Sequence, residues 1–221
     1  MQLLASGTVN YFTASVTPDG MWLLATAQGQ DPAKRQLLRI PLSRGPAETI
    51  LTASGPSDVQ CARSGSRICI LSETVGKQLV LSSVDAIRGR LGELARVETR
   101  GDGLWSSGLS PDGARIAVEE DSVDSVRVLD LKSRQLDVIH LTPPQAQLQS
   151  VAWSADGNRL FISGWSDLKG WLREMDLAGH TRLLLENPSG WLGGPLPSPD
   201  GKRIAYVYVV PESNVVLLEH F

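Results

Sequence analysis

Long apolar runs are missing from this chain of 221 residues. None approaches the roughly 20 consecutive apolar residues that a transmembrane helix needs, so we expect no membrane insertion of this segment. The N-terminal stretch MQLLASGTVNYF also lacks the basic, then apolar, then small-residue order of a signal peptide. These two absences do not assign the protein to a cellular compartment.

An excess of charge of one sign is missing as well. The chain has 21 Lys and Arg against 24 Asp and Glu, a net charge of −3, and its cations are scattered singly. A protein that binds a phosphate backbone needs a basic patch or stripe. We therefore expect no nucleic-acid partner.

Catalytic and cofactor motifs are also absent. There is no GxSxG elbow with a histidine partner, no His, Asp and Glu cluster with metal-ligand spacing, and no glycine-rich loop for a phosphate. The three histidines, His140, His180 and His220, stand far apart in the sequence, which favours solvated or structural roles. The sequence therefore predicts a chain that is not an enzyme, with no catalytic residue, no metal and no cofactor.

Cysteine is scarce, with two residues, Cys61 and Cys69. They face each other across a turn, at positions where equivalent stretches carry other apolar residues. The preferred interpretation is a pair of small buried hydrophobic side chains, with a disulfide as the alternative. A zinc site is disfavoured because a second pair of ligands is missing.

What the chain does have is one stretch written five times. SPDGKRIAY begins at Ser198, and the other copies are TPDGMWLLA from Thr17, ARSGSRICI from Ala62, SPDGARIAV from Ser110 and SADGNRLFI from Ser154. The copies recur with a period of about 45 residues, which indicates a repeat protein.

Each copy predicts a tight turn between two antiparallel strands. Pro presets its own φ, Asp can accept hydrogen bonds from the backbone ahead of it, and Gly accepts a positive φ. Two further β-rich runs follow in four of the five repeats. Four strands per repeat of this length are typical of a β-propeller blade.

We therefore predict an all-β fold, a five-bladed β-propeller of four-stranded antiparallel blades in one domain covering 1–221. The expected blades are 8–51, 52–97, 98–142, 143–187 and 188–221. MQLLASG aligns with TILTASG at Thr49 to Gly55, the last strand of the first blade. The N-terminal strand, residues 1–7, is accordingly expected to complete the last blade and to remove its unpaired edge.

Candidate binding residues follow from propeller geometry. Loops that lead into the innermost strands, and loops between second and third strands, lie on one face around the central channel, where such scaffolds bind ligands. The Trp side chains offer apolar area and one hydrogen-bond donor. The expected ligand-binding residues on this channel face are Trp105, Trp191, Trp165, Glu119, Glu120, Asp121, Asp167 and Arg35.

The SPDGxRIA copies resemble the WD40-like, TolB-type (PD40) propeller repeat of bacteria, whose consensus is close to WSPDGKxIAF. The resemblance covers essentially the whole chain. The ending GPLPSPDGKRIAY, from Gly194, through SNVVLLEHF also resembles the C-terminus of bacterial regulators in which such a propeller follows a protein kinase or a winged-helix segment. The chain departs from the family in the second copy, which lacks the Pro-Asp pair, and in having five repeats instead of six.

The resemblance implies the fold strongly and the function weakly, because related propellers act as periplasmic binding scaffolds, sensor domains and gating domains of peptidases. We expect a non-enzymatic binding or protein-interaction propeller, a monomeric sensory or scaffold domain of a larger bacterial envelope or signalling protein. Its ligand, a protein or a small molecule, is not identified. The resemblance points to a periplasmic or other extracytoplasmic location. The alternative is a propeller lyase or hydrolase, or its accessory domain, with a site on the channel face.

Overall fold

The protein is described here from a computed structural model that covers residues 10–31, 33–63, 66–99, 105–120, 124–144, 147–166 and 169–209. Its strands form antiparallel sheets in which each strand pairs with the next one along the chain. In the described part, no helix is long and apolar enough to cross a membrane.

The first two sheets come from the first half of the chain. The first sheet contains β1 (Tyr11–Val16), β2 (Trp22–Gln28), β3 (Arg35–Pro41) and β4 (Glu48–Ala53). The second sheet contains β5 (Ser57–Cys61), β6 (Cys69–Val75), β7 (Gln78–Asp85) and β8 (Gly89–Glu98).

The remaining sheets follow the same order. The third sheet contains β9 (Trp105–Leu109), β10 (Arg115–Glu120), β11 (Ser125–Asp130) and β12 (Leu136–His140). The fourth contains β13 (Leu148–Trp153), β14 (Arg159–Ser166), β15 (Lys169–Asp176) and β16 (Thr181–Asn187). The fifth contains β17 (Trp191–Pro197) and β18 (Ile204–Val209).

The prediction of five four-stranded blades is therefore wrong. The described residues form four sheets of four strands and a partial fifth sheet of two strands. The repeated turn specifies the first hairpin of each sheet, whereas the outer strands come from more variable sequence that the motif does not constrain. The segments expected to complete the last blade, 1–7 and the C-terminal run after residue 209, lie outside the described residues.

The repeated turn has the hydrogen bonds that its sequence predicts. In the third sheet, the Asp112 carboxylate accepts from the Ser110 hydroxyl at 2.5 Å and from the Ala114 backbone N–H at 3.1 Å. Gly113 has a φ of 73°, which a residue with a Cβ rarely adopts. These bonds lower the pKa of Asp112, the hydroxyl of Ser110 contributing most. Asp19, Asp156 and Asp200 accept equivalent bonds, so backbone capping accounts for the repeated aspartates.

Apolar side chains join each complete sheet to the next. Leu24 and Leu37 of the first sheet pack with Val59 and Leu71 of the second. A second cluster joins the second and third sheets, and a third joins the third and fourth around Trp153 and Trp171. Each fully buried Leu or Val contributes about 1.5–3 kcal/mol. Face-to-face burial between successive sheets is thus the main stabilising element of the arrangement.

Cys61 and Cys69 form a disulfide. They stand directly opposite each other in the β5–β6 register, and both are buried. The interpretation of two free thiols is therefore wrong, although both residues do lie in the apolar cluster between the first and second sheets.

Candidate functional site

The innermost strands of all five sheets line one central cavity, which we call the channel. β1, β5, β9, β13 and β17 contribute its lining, and its volume is about 400 Å³. Arg63, just after β5, donates to the Pro197 carbonyl at 2.5 Å and so links the second sheet to the fifth. The channel is therefore formed by all five sheets together.

Polar residues recur at one level of the channel, six positions before each turn aspartate or its equivalent. They are Thr13, Asp58, Ser106 and Ser150 on the innermost strands. Each stands opposite a buried polar residue of the adjacent strand, the partners being Thr26, Ser72, Glu119 and Ser163. We call these four pairs the polar belt.

The polar belt connects neighbouring sheets. Thr13 accepts from the Val59 backbone N–H at 3.2 Å, and Ser150 accepts from the Gly194 backbone N–H at 3.0 Å. Ser106 accepts in the same way from the Val151 backbone N–H at 3.3 Å. Backbone N–H groups on the inner edge of a sheet need such partners. The side chains of one sheet therefore satisfy the inner edge of the next.

Asp58 is the one belt residue on an innermost strand that carries a charge. Its Oδ2 accepts from Gln60 Nε2 at 2.7 Å and from the Ser107 hydroxyl at 3.1 Å. Burial raises the pKa of the Asp58 carboxyl, and hydrogen bonds from Gln60, Thr13 and Ser107 offset part of that rise. The Val59 backbone N–H acts in the same direction, so the Asp58 carboxyl has hydrogen-bond donors from three sheets around it.

The channel has an apolar wall and a polar wall. Phe12 on β1 is 48% exposed and Leu196 on β17 is 57% exposed, although both side chains are large and apolar. Asp58, Gln60 and Ser107 form the polar side on β5 and β9. Among the described residues that line the channel, Asp58 and Arg63 carry charge. The cavity is thus amphipathic.

Two of the residues predicted from sequence lie beside the channel. The Arg35 guanidinium stacks 3.8 Å from the centroid of the Phe12 ring and donates to Gln28 Oε1 at 2.9 Å. Glu119 belongs to the polar belt and is 1% exposed. Neither is in the channel lining itself.

The other predicted residues lie at separate places in the fold or outside the described part of the chain. Trp191 is exposed at the start of β17, and Trp165 is half-buried near the end of β14, and neither lines the channel. Trp105 and Glu120 pair with each other in the backbone register of β9 and β10. Asp121 and Asp167 lie outside the described residues.

Sequence reasoning missed Phe12, Asp58, Gln60 and Leu196, because it looked for binding residues in loops. A signal was present in the repeat alignment. At the position where three repeats carry Thr13, Ser106 and Ser150, the second carries Asp58. Asp58 is therefore the charged residue at a position where three other repeats carry a neutral hydroxyl residue. In the described part of the chain, no group of three or more His, Cys, Asp and Glu could hold a metal ion.

Comparison with known proteins supports the fold. No protein-family model matches the chain, and no curated protein matches it. Among solved structures, a putative TolB from Agrobacterium tumefaciens has a TM-score of 0.71 at 16% identity, covering 95% of this chain and 73% of its own. TolB from Acinetobacter baumannii has a TM-score of 0.61 at 20% identity, covering 80% of this chain and 42% of its own.

An enzyme is also among the similar structures. Hydrazine synthase from Kuenenia stuttgartiensis has a TM-score of 0.67 at 18% identity, covering 95% of this chain. The chain spans 58% of that structure, so it corresponds to part of the larger protein. At these identities the similarity shows an all-β, propeller-like fold with TolB proteins among its neighbours, and assigns no activity.

Proposed function

We propose that this chain is a non-enzymatic binding propeller whose ligand or partner segment enters the channel. Its place would be as a sensory or scaffold domain of a bacterial envelope or signalling protein. The observation that carries the proposal is the amphipathic channel with exposed Phe12 and Leu196. Binding sites in proteins are typically concave and largely apolar, with a few polar groups that orient the ligand.

The exposure of Phe12 and Leu196 favours binding over a purely structural channel. Burying a side chain of this type is worth about 1.5–3 kcal/mol, so leaving two of them open inside a cavity forgoes stability. Arg35 covers one part of the Phe12 ring, and 48% of Phe12 stays exposed. A ligand that covers both side chains would recover this apolar burial.

The alternative of a propeller lyase or hydrolase is less well supported. General acid–base catalysis requires a positioned titratable group with a pKa near the working pH, and usually a second group to complete the proton transfer. Asp58 has a raised pKa, but its hydrogen-bond partners Gln60 and Ser107 do not titrate near neutral pH. The other charged lining residue, Arg63, stays protonated.

An extracytoplasmic location forms part of the proposal. Disulfides persist in oxidising compartments and are rare in the cytosol. The Cys61–Cys69 bond therefore agrees with the location that the TolB resemblance implies. The test is thiol labelling of the protein taken from its native host under conditions that trap free thiols. We expect no labelling before reduction and labelling of both cysteines afterwards, and full labelling before reduction would contradict the location.

The binding role is tested by a ligand screen that follows thermal unfolding of the wild-type protein and a Phe12→Ala, Leu196→Ala double variant. Leu183→Ala is the matched control, because Leu183 is 45% exposed on the outer strand β16. A bound ligand raises the midpoint in proportion to its affinity. We expect channel ligands to stabilise the wild type and Leu183→Ala, and to lose this effect in the double variant. Ligands that stabilise all three proteins equally would contradict a channel site.

A further inference from the structure

We infer that the channel binds an amphipathic cation. Its ammonium group pairs with the Asp58 carboxylate, and its apolar group packs between Phe12 and Leu196. This inference rests on the proposed function and specifies the ligand class for the same channel.

The charge of the ligand follows from the polar wall. Asp58 contributes the negative charge among the described residues that line the channel. Gln60 Nε2 and the Ser107 hydroxyl donate to its Oδ2, and Thr13 and the Val59 backbone N–H also hydrogen-bond to the carboxyl. These partners fix the carboxylate but bring no positive charge, so a ligand group that approaches it binds most tightly when that group is a cation.

The apolar wall of the channel, opposite Asp58, indicates that the ligand also has an apolar group. Phe12 on β1 and Leu196 on β17 come from the first and fifth sheets, whereas Asp58 comes from the second. A molecule that bridges the two walls therefore needs an apolar end and a cationic end within one small volume, about 400 Å³. An aryl-ethylamine is small enough for this volume and carries both an apolar end and a cationic end.

The orientation of the ligand follows from Arg63. Asp58 lies near the start of β5, and Arg63 follows the end of the same strand, where the Pro197 carbonyl fixes its guanidinium. A cationic group is attracted toward Asp58 and repelled from Arg63. The channel therefore has an acidic level and a basic level, and the cationic end of the ligand belongs at the acidic level.

The protonation of Asp58 makes this binding pH-dependent. Charged groups around Asp58 include Arg63 on its own segment, Glu73 on β6, which stands opposite Ser57 and pairs with Arg90, and Glu119 of the polar belt. β1, β9, β13 and β17 contribute no charged residue to the described lining. Since burial raises the pKa of Asp58, its carboxyl keeps its proton to a higher pH than an ordinary aspartate does. Affinity for an ammonium ion should rise with pH through the pKa of Asp58 and then level off.

The experiment compares three probes of matched shape, 2-phenylethylamine, 2-phenylethanol and 3-phenylpropanoate, with calorimetry as the readout. The wild type should bind the amine at least about tenfold more tightly than the alcohol at neutral pH, and should bind the carboxylate most weakly. Asp58→Asn should bring the amine to within about twofold of the alcohol. Asp137→Asn, an exposed substitution on β12, should leave the preference unchanged.

The wild-type comparison keeps the inference falsifiable even where Asp58→Asn folds poorly. Equal binding of amine and alcohol, or tighter binding of the carboxylate, would overturn the cation assignment. An amine preference that persists in folded Asp58→Asn would overturn it as well. If the probes bind without charge preference but depend on Phe12 and Leu196, the proposed function stands and this inference fails. If binding of the probes depends neither on Asp58 nor on Phe12 and Leu196, the proposed function and this inference both fail.

Discussion

Asp58 contacts residues from the sheets on either side of it. Its own strand supplies Gln60, the third sheet supplies Ser107, and Thr13 of the first sheet is near enough to affect its pKa. A hydroxyl at this position, as in three other repeats, would keep neighbouring sheets in register without burying a charge. The carboxylate instead carries a desolvation cost, which is the kind of local cost that proteins retain at functional positions.

Because burying the Asp58 carboxylate is unfavourable, we predict that the free energy of unfolding depends on pH through this residue. An acid with a higher pKa in the folded chain than in the unfolded chain binds more protons when folded. The free energy of unfolding therefore falls as the pH rises from the unfolded Asp value, about 3.9, through the folded pKa. Asp58→Asn lacks this effect, so its midpoint minus that of the wild type should increase over that range. Thermal unfolding at a series of pH values measures the difference.

The turn aspartates act in the opposite direction but do not obscure this comparison. The pKa of Asp112 is lowered by Ser110 and by the Ala114 backbone, so its contribution is lost as the pH falls. Both proteins retain Asp112 and its equivalents, and their contributions cancel in the difference. A difference that stays constant, or decreases as the pH rises, would show that the Asp58 carboxyl is not destabilised by burial.

At the scale of single elements, the repeated turn made the hairpins predictable. In four of the copies Asp accepts the backbone N–H groups and Gly takes the positive φ, so these four stretches specify their hairpins. The second copy lacks the Pro-Asp pair, and its hairpin, β5–β6, was predicted from its place in the repeat. The third strands were also predicted, since β7 and β11 lie where a β-rich run follows the hairpin in the second and third repeats. The local sequence is therefore sufficient to predict elements whose backbone geometry it determines, such as these hairpins.

The candidate site was harder to predict because its residues meet only through packing between sheets. Phe12 and Leu196 come from opposite ends of the chain, and no spacing rule relates them. Trp191 and Trp165 were predicted to bind a ligand because they were expected in loops on the channel face. They occupy strand positions instead and do not line the channel.

At the scale of the whole molecule, the described strands of the fifth sheet are held from two sides. β17 packs on the fourth sheet, and the Gly194 backbone N–H donates to Ser150. On the other side of the channel, Arg63 reaches the fifth sheet through the Pro197 carbonyl. Burial lowers the pKa of Arg63, as expected for a cation held partly away from water. The Arg63 side chain thus joins the second sheet to the fifth across the channel.

Arg63→Ala should therefore loosen the fifth sheet selectively. Removing the guanidinium leaves the Pro197 carbonyl without its donor, and because Arg63 is exposed to solvent we expect a loss of about 0.5–1.5 kcal/mol. Local opening is governed by the contacts that a segment makes, so amide exchange should accelerate in β17 and β18 while β6 and β7 stay protected. Hydrogen exchange followed by mass spectrometry measures this, with Arg67→Ala, an exposed neighbour, as the control. Equal acceleration in every sheet would instead assign Arg63 a global role, and unchanged exchange in β17 would show that the link contributes nothing.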